Sequence, residues 1–329
     1  MKKMTHCAII GAGEIGSRHL QALSHLENPT RIDLVDPSNK SLKKAFDRYE
    51  EVVSPGKQNI ELCCHKGLDD LPDTLDLMII ATDSSVRSEV LKNATRKCFV
   101  KNLILEKVLF QKKIDYIAVD NFLKESSIPT WVSCWMRTTD LFKKIKTLLN
   151  LNDRIQMKVE GSKWGMGCNS IHYMDLFSYL LGCNDFKFVR VNLEATVLNA
   201  KRKGFKEFIG HLGGRNSRGD SLDLFCNDGS EGFVSIEIRN GPETYLLVTN
   251  FVNHFDLKSS NALAKGIGKV FLPYQSEMTH IWVNDILKKG SCDLPTYANS
   301  MKLHLELIRV FTYHIERITG EQIDACPIT

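Results

Sequence analysis

A chain of 329 residues is long enough for two domains, each with its own core. Its 25% charged and 43% hydrophobic residues are ordinary for a soluble globular protein. A net charge of +4 at pH 7 is too slight to point to nucleic acid or a membrane surface, and no apolar run reaches the length of a membrane span.

The first predicted strand, His6–Ile10, runs into a turn with Gly11, Gly13 and Gly16, and a helix is expected from about Glu14. In such a turn the first glycine allows the tight bend and the second lets a pyrophosphate approach the backbone. The third lets the helix pack closely on the sheet. The open N–H groups at the helix start favour an anion. A second strand, Arg31–Val35, ends in Asp36, 20 residues beyond Gly16. An acid there can hydrogen-bond the adenosine ribose and repel a 2′-phosphate. Strand, turn, helix, strand and acid in register predict a dinucleotide site that prefers NAD to NADP. The plain alternative is a glycine-rich turn and a surface aspartate.

Farther along, Ser41–Tyr49 reads as a helix, followed by a loop with Pro55 and Gly56 and a short strand at Leu62–His65. The apolar run Leu77–Ala81 suits a parallel strand buried on both faces. Helix Ser85–Arg96, strand Leu103–Leu105, helix Lys112–Lys124 and strand Thr130–Cys134 continue the alternation. Alternation of this kind implies a doubly wound parallel sheet. After about residue 150 the segments become short, alternating and bounded by Gly, Asn or Asp: Ile155–Glu160, Phe186–Leu193, Leu222–Cys226, Phe233–Arg239 and Tyr245–Phe251. They predict an antiparallel sheet. Helices are expected at Ile171–Leu181, stopped by Gly182, and at Ser276–Lys288 and Ala298–Ile318. The domains are placed at 1–125 and 126–329, with the end of the chain a candidate to pack back on the first.

Ten cysteines contain no C-x-x-C pair and no paired metal-ligand spacing. They read as reduced, mostly buried thiols, and no metal is expected. The start MKKMTHCAIIG lacks the cleavage region of a signal peptide, so a cytoplasmic protein is expected.

The GAGEIGSRHL turn, the ATDSS segment, the Glu106–Lys107 pair and the IHYMDLFSYLLG helix together resemble the Gfo/Idh/MocA family, along essentially the whole chain. The resemblance implies a Rossmann domain followed by an α+β domain with a large open, mostly antiparallel sheet, whose outer face makes homodimer or homotetramer contacts. It implies an NAD-dependent dehydrogenase acting on a CH–OH group of a sugar or nucleotide sugar. A nucleotide sugar of surface-polysaccharide synthesis is the preferred substrate.

Lys107 falls in the family's E-K-P, with Val108 in place of proline. Its ammonium there would hydrogen-bond the alcohol and stabilise the alkoxide; a solvated strand-end lysine is the plain alternative. His172 falls in the family's D-x-x-x-H-x-x-D-L, where it would take the hydroxyl proton. The earlier aspartate is here Cys168, with Asn169 beside it, which puts turnover in doubt or passes the polar role to Asn169.

The family pattern adds Ala81, Thr82, Ser84 and Glu106 to Gly11, Gly13, Glu14, Ile15, Gly16 and Asp36 around the cofactor. It places Arg137, Trp164, Asn169 and Asp175 near the substrate, Asp175 in a supporting role. Arg137 stacked on Trp131 or Trp135, and Trp164 packed into the fold, are the bland alternatives. The basic cluster Lys201, Arg202, Lys203, Lys206, Arg215 and Arg218 is either a clamp for a diphosphate or carboxylate, or a solvated hairpin turn. A free-polyol dehydrogenase and a non-catalytic NAD(H)-binding scaffold are the rival functions.

Overall fold

A computed structural model of the protein describes residues 4–53, 59–229, 234–251, 254–261 and 268–329. The expected loop at Pro55 and Gly56, and the first residue of the strand expected from Phe233, lie outside them. The chain divides into two compact units.

The first unit is built on a parallel sheet of six strands: β1 (Thr5–Ile10), β2 (Thr30–Val35), β3 (Ile60–His65), β4 (Leu77–Ile80), β5 (Leu103–Leu105) and β6 (Thr130–Val132). Their order across the sheet is β3-β2-β1-β4-β5-β6. The chain moves outward from β1 to β3, then returns to β4 on the other side. The point of reversal, between β1 and β4, opens the crevice at the carboxyl ends where such sheets bind ligands. Every residue of β4 is buried, as its unbroken apolar sequence requires for a strand covered on both faces. Helices α1 (Glu14–Leu23), α2 (Asn39–Glu50), α3 (Arg87–Lys97) and α4 (Lys113–Ser126) make the crossovers. Ser38 caps α2, its hydroxyl accepting from the Ser41 N–H at 3.2 Å.

This unit does not end at residue 125. It runs to Ser133, because β6 completes the sheet, and it takes back Pro273–Tyr297. In that returning stretch, a 3₁₀ turn at Gln275–Glu277 and helix α7 (Thr279–Lys289) pack against α1, and the Val132 N–H donates to Pro295 O at 3.0 Å.

The second unit holds an eight-stranded sheet: β7 (Ile155–Ser162), β8 (Lys187–Leu193), β9 (Gly210–Arg215), β10 (Ser221–Asn227), β11 (Val234–Asn240), β12 (Glu243–Phe251), β13 (His254–Ser259) and β14 (Lys269–Phe271). The order is β8-β9-β10-β7-β11-β12-β13-β14, and only β7 and β10 pair in parallel. Alternate residues of β7 and β10 are buried, Met157, Val159, Leu222 and Leu224 among them. Helices α5 (Asp140–Leu148), α6 (Met166–Leu181) and most of α8 (Tyr297–Thr319) belong here. Strand β9 escapes the sequence pattern because three of its six residues are glycine. Among the described residues no helix is long and apolar enough to cross a membrane.

Candidate active site

In the first unit the site is built from backbone. Gly11 adopts φ +101°, and a Cβ on it would stand 2.9 Å from the carbonyl carbon of Ala81. A Cβ on Gly16 would stand 1.8 Å from Gly11 O, so α1 can begin against the turn only with glycine there. Gly13 is different, because a Cβ there would meet nothing within 4 Å. That open space lies at the N-cap of α1, where no side chain caps the helix. Uncapped N–H groups beside an open glycine are what a pyrophosphate needs.

Asp36 is tied to this turn. Its Oδ2 accepts from the Ala12 N–H and its Oδ1 from the Ser38 N–H, each at 2.8 Å. Each carboxylate oxygen keeps a second acceptor site. Across the turn, the Thr82 Oγ1 is buried and has no hydrogen-bond partner among the described residues, a vacancy that a ligand hydroxyl or amide fits. Ser84 beside it is buried. These features fit a dinucleotide. Glu14 offers only its backbone to the turn: its carboxylate pairs with Lys44 and with Arg48, the latter at 2.7 Å. Hydrogen bonds from Lys44 first and Arg48 second hold it at about 2. Ile15 stands partly exposed in the same first helical turn.

Glu106 and Lys107 follow β5 directly. Glu106 is 4% exposed. Its Oε1 accepts from His19 Nε2 at 2.9 Å, and its Oε2 from the Lys107 N–H at 3.2 Å. Burial pushes this carboxyl up, but the His19 hydrogen bond and charge and the Lys107 charge outweigh it and hold the group at about 2. The other ring nitrogen of His19 meets Thr279 Oγ1 at 2.8 Å, and the Gln275 amide donates to that hydroxyl at 3.0 Å. A buried line of polar groups thus runs from α7 through α1 to the residue before Lys107.

Arg87, 1% exposed, completes this side. Its guanidinium donates to the carbonyls of Thr82, Val108 and, at 2.9 Å, Leu109. It fastens the loop after β4 to the segment after β5. Arg87, His19, Thr279 and Gln275 are not among the candidate site residues picked from the sequence. His19 stands three residues past the glycine turn, the one local signal that singles it out.

In the second unit, α6 begins at Met166, five residues before the periodicity indicates, behind Gly165 (φ +77°), and ends at Leu181 before Gly182 (φ +70°). The two leading glycines and a cysteine hide its first turn. The Glu207 carboxylate accepts from the Gly167 N–H, placing negative charge at the helix start. His172 therefore sits inside the helix, 7% exposed, with its ring edge-on to Trp135 at 6.0 Å.

Cys168 and Asn169 turn to the backbone of the entry loop. The Asn169 amide donates to Trp164 O at 2.7 Å, and the Cys168 thiol lies 3.6 Å from Gly165 O. Asn169 thus makes a helix-start contact through its amide N–H.

Asp175, one turn beyond His172, is 1% exposed and pairs with Arg137 Nε at 3.1 Å. Burial raises its carboxyl to about 7 against the opposing pull of Arg137. The Arg137 guanidinium also lies over Tyr179, at 4.9 Å, and not over either tryptophan. The structure brings the half-buried Arg137 and the buried Asp175 together as an ion pair, where the sequence places both near the substrate, Asp175 in a supporting role. Trp164 is likewise turned inward. Its indole N–H donates to Phe225 O at 2.8 Å and its ring packs edge-on against Tyr173. The basic cluster does not form one clamp, since Lys206 donates to Asn199, Arg202 reaches Thr329, and Arg218 pairs with Asp220.

Residues 5–119 match the family model described as "Oxidoreductase family, NAD-binding Rossmann fold", GFO_IDH_MocA. No curated protein matches the sequence. The fold is shared with solved structures along nearly the whole chain. The WlbA dehydrogenase of Chromobacterium violaceum, in complex with NADH and UDP-GlcNAcA, superposes with a TM-score of 0.69 at 16% identity, covering 100% of this chain and 98% of that one. An oxidoreductase from Agrobacterium radiobacter in complex with NAD+, L-tartaric acid and magnesium gives 0.65 at 15% identity, over 97% and 98%. UDP-N-acetylglucosamine 3-dehydrogenase GnnA of Acidithiobacillus ferrooxidans gives 0.63 at 12%, over 94% and 97%.

Proposed function

We propose that this chain, whose residues 5–119 match the NAD-binding Rossmann model of the Gfo/Idh/MocA oxidoreductases, interconverts a secondary alcohol and a ketone on a sugar or nucleotide sugar. When bound, NAD supplies the redox chemistry. The observation that carries the reading is Lys107, just beyond the carboxyl end of the interior strand β5, preceded by a buried Glu106 that is held ionised.

Lys107 hydrogen-bonds the substrate oxygen and stabilises the negative charge that grows on it. Glu106 anchors the Lys107 backbone and adds negative charge beside the ammonium. His172 takes or returns the hydroxyl proton. The Arg137–Asp175 pair buttresses the helix one turn away. The Asp36 carboxylate receives the adenosine ribose and disfavours a 2′-phosphate, which gives the preference for NAD. A nucleotide sugar is the preferred substrate, because two of the similar structures are named for UDP-sugars and share the fold across both units.

A second reading, an NAD(H)-binding scaffold without turnover, draws support from Cys168 and Asn169, whose described contacts go to the entry loop. One assay separates the two. NAD⁺ is mixed with UDP-sugars and free polyols, and reduced nicotinamide is followed by its near-ultraviolet absorbance. A rise with a UDP-sugar that Lys107→Ala and His172→Ala each abolish, with NADH binding retained, supports the dehydrogenase. A rise with polyols alone moves the substrate class. A flat trace throughout, with NADH still bound, favours the scaffold. NADPH binding tenfold tighter than NADH would overturn the role given to Asp36.

A further inference from the structure

The outward face of the second unit's sheet carries a feature that the proposed reaction does not use. Helix α6 packs toward the opposite face: a Cβ on Gly214 would run into the Phe186 ring, which packs edge-on against Phe177 of α6. On the outward face, a concave site of about 230 Å³ is lined by Arg154, Arg190 and Arg215, with Gly213, Gly219 and Asp223. None of the three guanidiniums has a hydrogen bond or ion-pair partner among the described residues, in contrast to that of Arg218 nearby, which is paired with Asp220. Gathering unpaired guanidiniums costs electrostatic free energy unless an outside anion offsets it.

The local backbone builds the site. Pairing of β8 with β9 shifts register between Phe188 and Arg190, and the irregularity leaves Val189 and Arg190 both exposed where strict alternation would bury one. Arg190 is then registered opposite Gly213, and Gly213 opposite Asp223. Gly213 leaves the floor bare, since a Cβ there would meet Asp223 Oδ1 at 2.7 Å. Gly219 (φ +87°) supports Arg154, whose guanidinium carbon would lie 3.3 Å from a Cβ at that position. The one carboxylate in the site, Asp223, is engaged by His211 at 2.7 Å, and that imidazole stacks on Phe225 at 4.0 Å.

We propose that this pocket binds a small polyanion of the phosphate or carboxylate class, with at least two acidic groups shared among Arg154, Arg190 and Arg215. Guanidinium forks suit phosphate and carboxylate oxygens, and the volume suits a compact anion better than a whole nucleotide sugar. The site is independent of the reaction proposed above.

The test is calorimetric titration of the full chain with inorganic pyrophosphate, and separately with citrate, at low salt. Saturating NADH is present so that the dinucleotide turn is taken. One-to-one binding is expected, weakened at least about tenfold by Arg190→Gln and by Arg215→Gln, and unchanged by Lys201→Gln, a charge-matched surface control. Gly213→Ala, which narrows the floor, should weaken it as well. Pyrophosphate without citrate, or the reverse, narrows the ligand to one class. Binding that survives all the arginine substitutions would place the anion elsewhere and overturn the proposal. So would absence of binding, whether or not the arginine variants shift the sedimentation coefficient; such a shift would assign this face to a second copy of the chain.

Discussion

Each unit buries one carboxylate beside its candidate catalytic residue, and the two meet opposite fates. Glu106 of the first unit is held ionised, down at about 2; Asp175 of the second is pushed up to about 7. Burial acts on both in the same direction, so the difference lies in the donors. Glu106 takes hydrogen bonds from His19 and the Lys107 N–H, with the Lys107 charge beside it. Among the described residues Asp175 has a single ion pair, with Arg137. A buried acid thus keeps its charge when several donors converge on it and tends to lose it when one does. The first unit presents a fixed negative group next to Lys107. The second presents an acid near neutrality, one turn from His172.

The largest effect expected from breaking this contrast is on stability. His19→Ala removes the main donor to Glu106 and strands the Thr279 hydroxyl, so denaturant unfolding should show a loss of about 3–5 kcal/mol. Arg137→Ala should cost less, about 1–3 kcal/mol, because Asp175 can protonate instead of staying buried with a bare charge. Equal losses in the two variants would show that the donors do not set the difference.

A smaller and more selective effect concerns pH. Asp175 titrates higher in the folded protein than in the unfolded chain. Its neutral form therefore favours folding, and that contribution is complete below about pH 4 and lost as pH rises toward 7. Glu106 titrates lower when folded, so its contribution is present above about pH 4.5 and lost as pH falls toward 2. Asp175→Asn should flatten the stability curve between about pH 4 and 7 and leave the acid limb intact. Glu106→Gln should do the converse. If Asp175→Asn leaves the slope above pH 4 unchanged, the carboxyl is not raised.

The same contrast explains what could be read in advance. The dinucleotide turn is written in local spacing: Gly11, Gly13, Gly16 and Asp36 are close in sequence, and glycine is required where a Cβ would strike backbone. Strand β4 is legible because a fully buried strand has to be apolar throughout. Side-chain pairs are not legible in this way. His19 meets Thr279 across 260 positions, and no spacing rule joins Arg137 to Asp175. A return to the first unit is expected from the sequence at the end of the chain, but the segment that returns is Pro273–Tyr297, while Ala298–Thr329 stays with the second unit; its tie is packing against α1 rather than a motif. In the second unit, glycines at the start of α6 and within β9 mask elements that tertiary pairing holds.

The smallest stability effect should come from the residue most committed to the ligand. Gly13 has φ −67° and open space where a Cβ would go, so Gly13→Ala should leave unfolding within about 1 kcal/mol of the parent. The added methyl group would instead occupy the space beside the uncapped start of α1, and NADH affinity, followed by fluorescence titration, should fall at least about tenfold. Gly16→Ala is the opposite case: its Cβ would lie 1.8 Å from Gly11 O, so fold and affinity should fall together. A Gly13→Ala protein that binds NADH normally would mean that the pyrophosphate does not approach the backbone there. The three glycines would then serve packing alone.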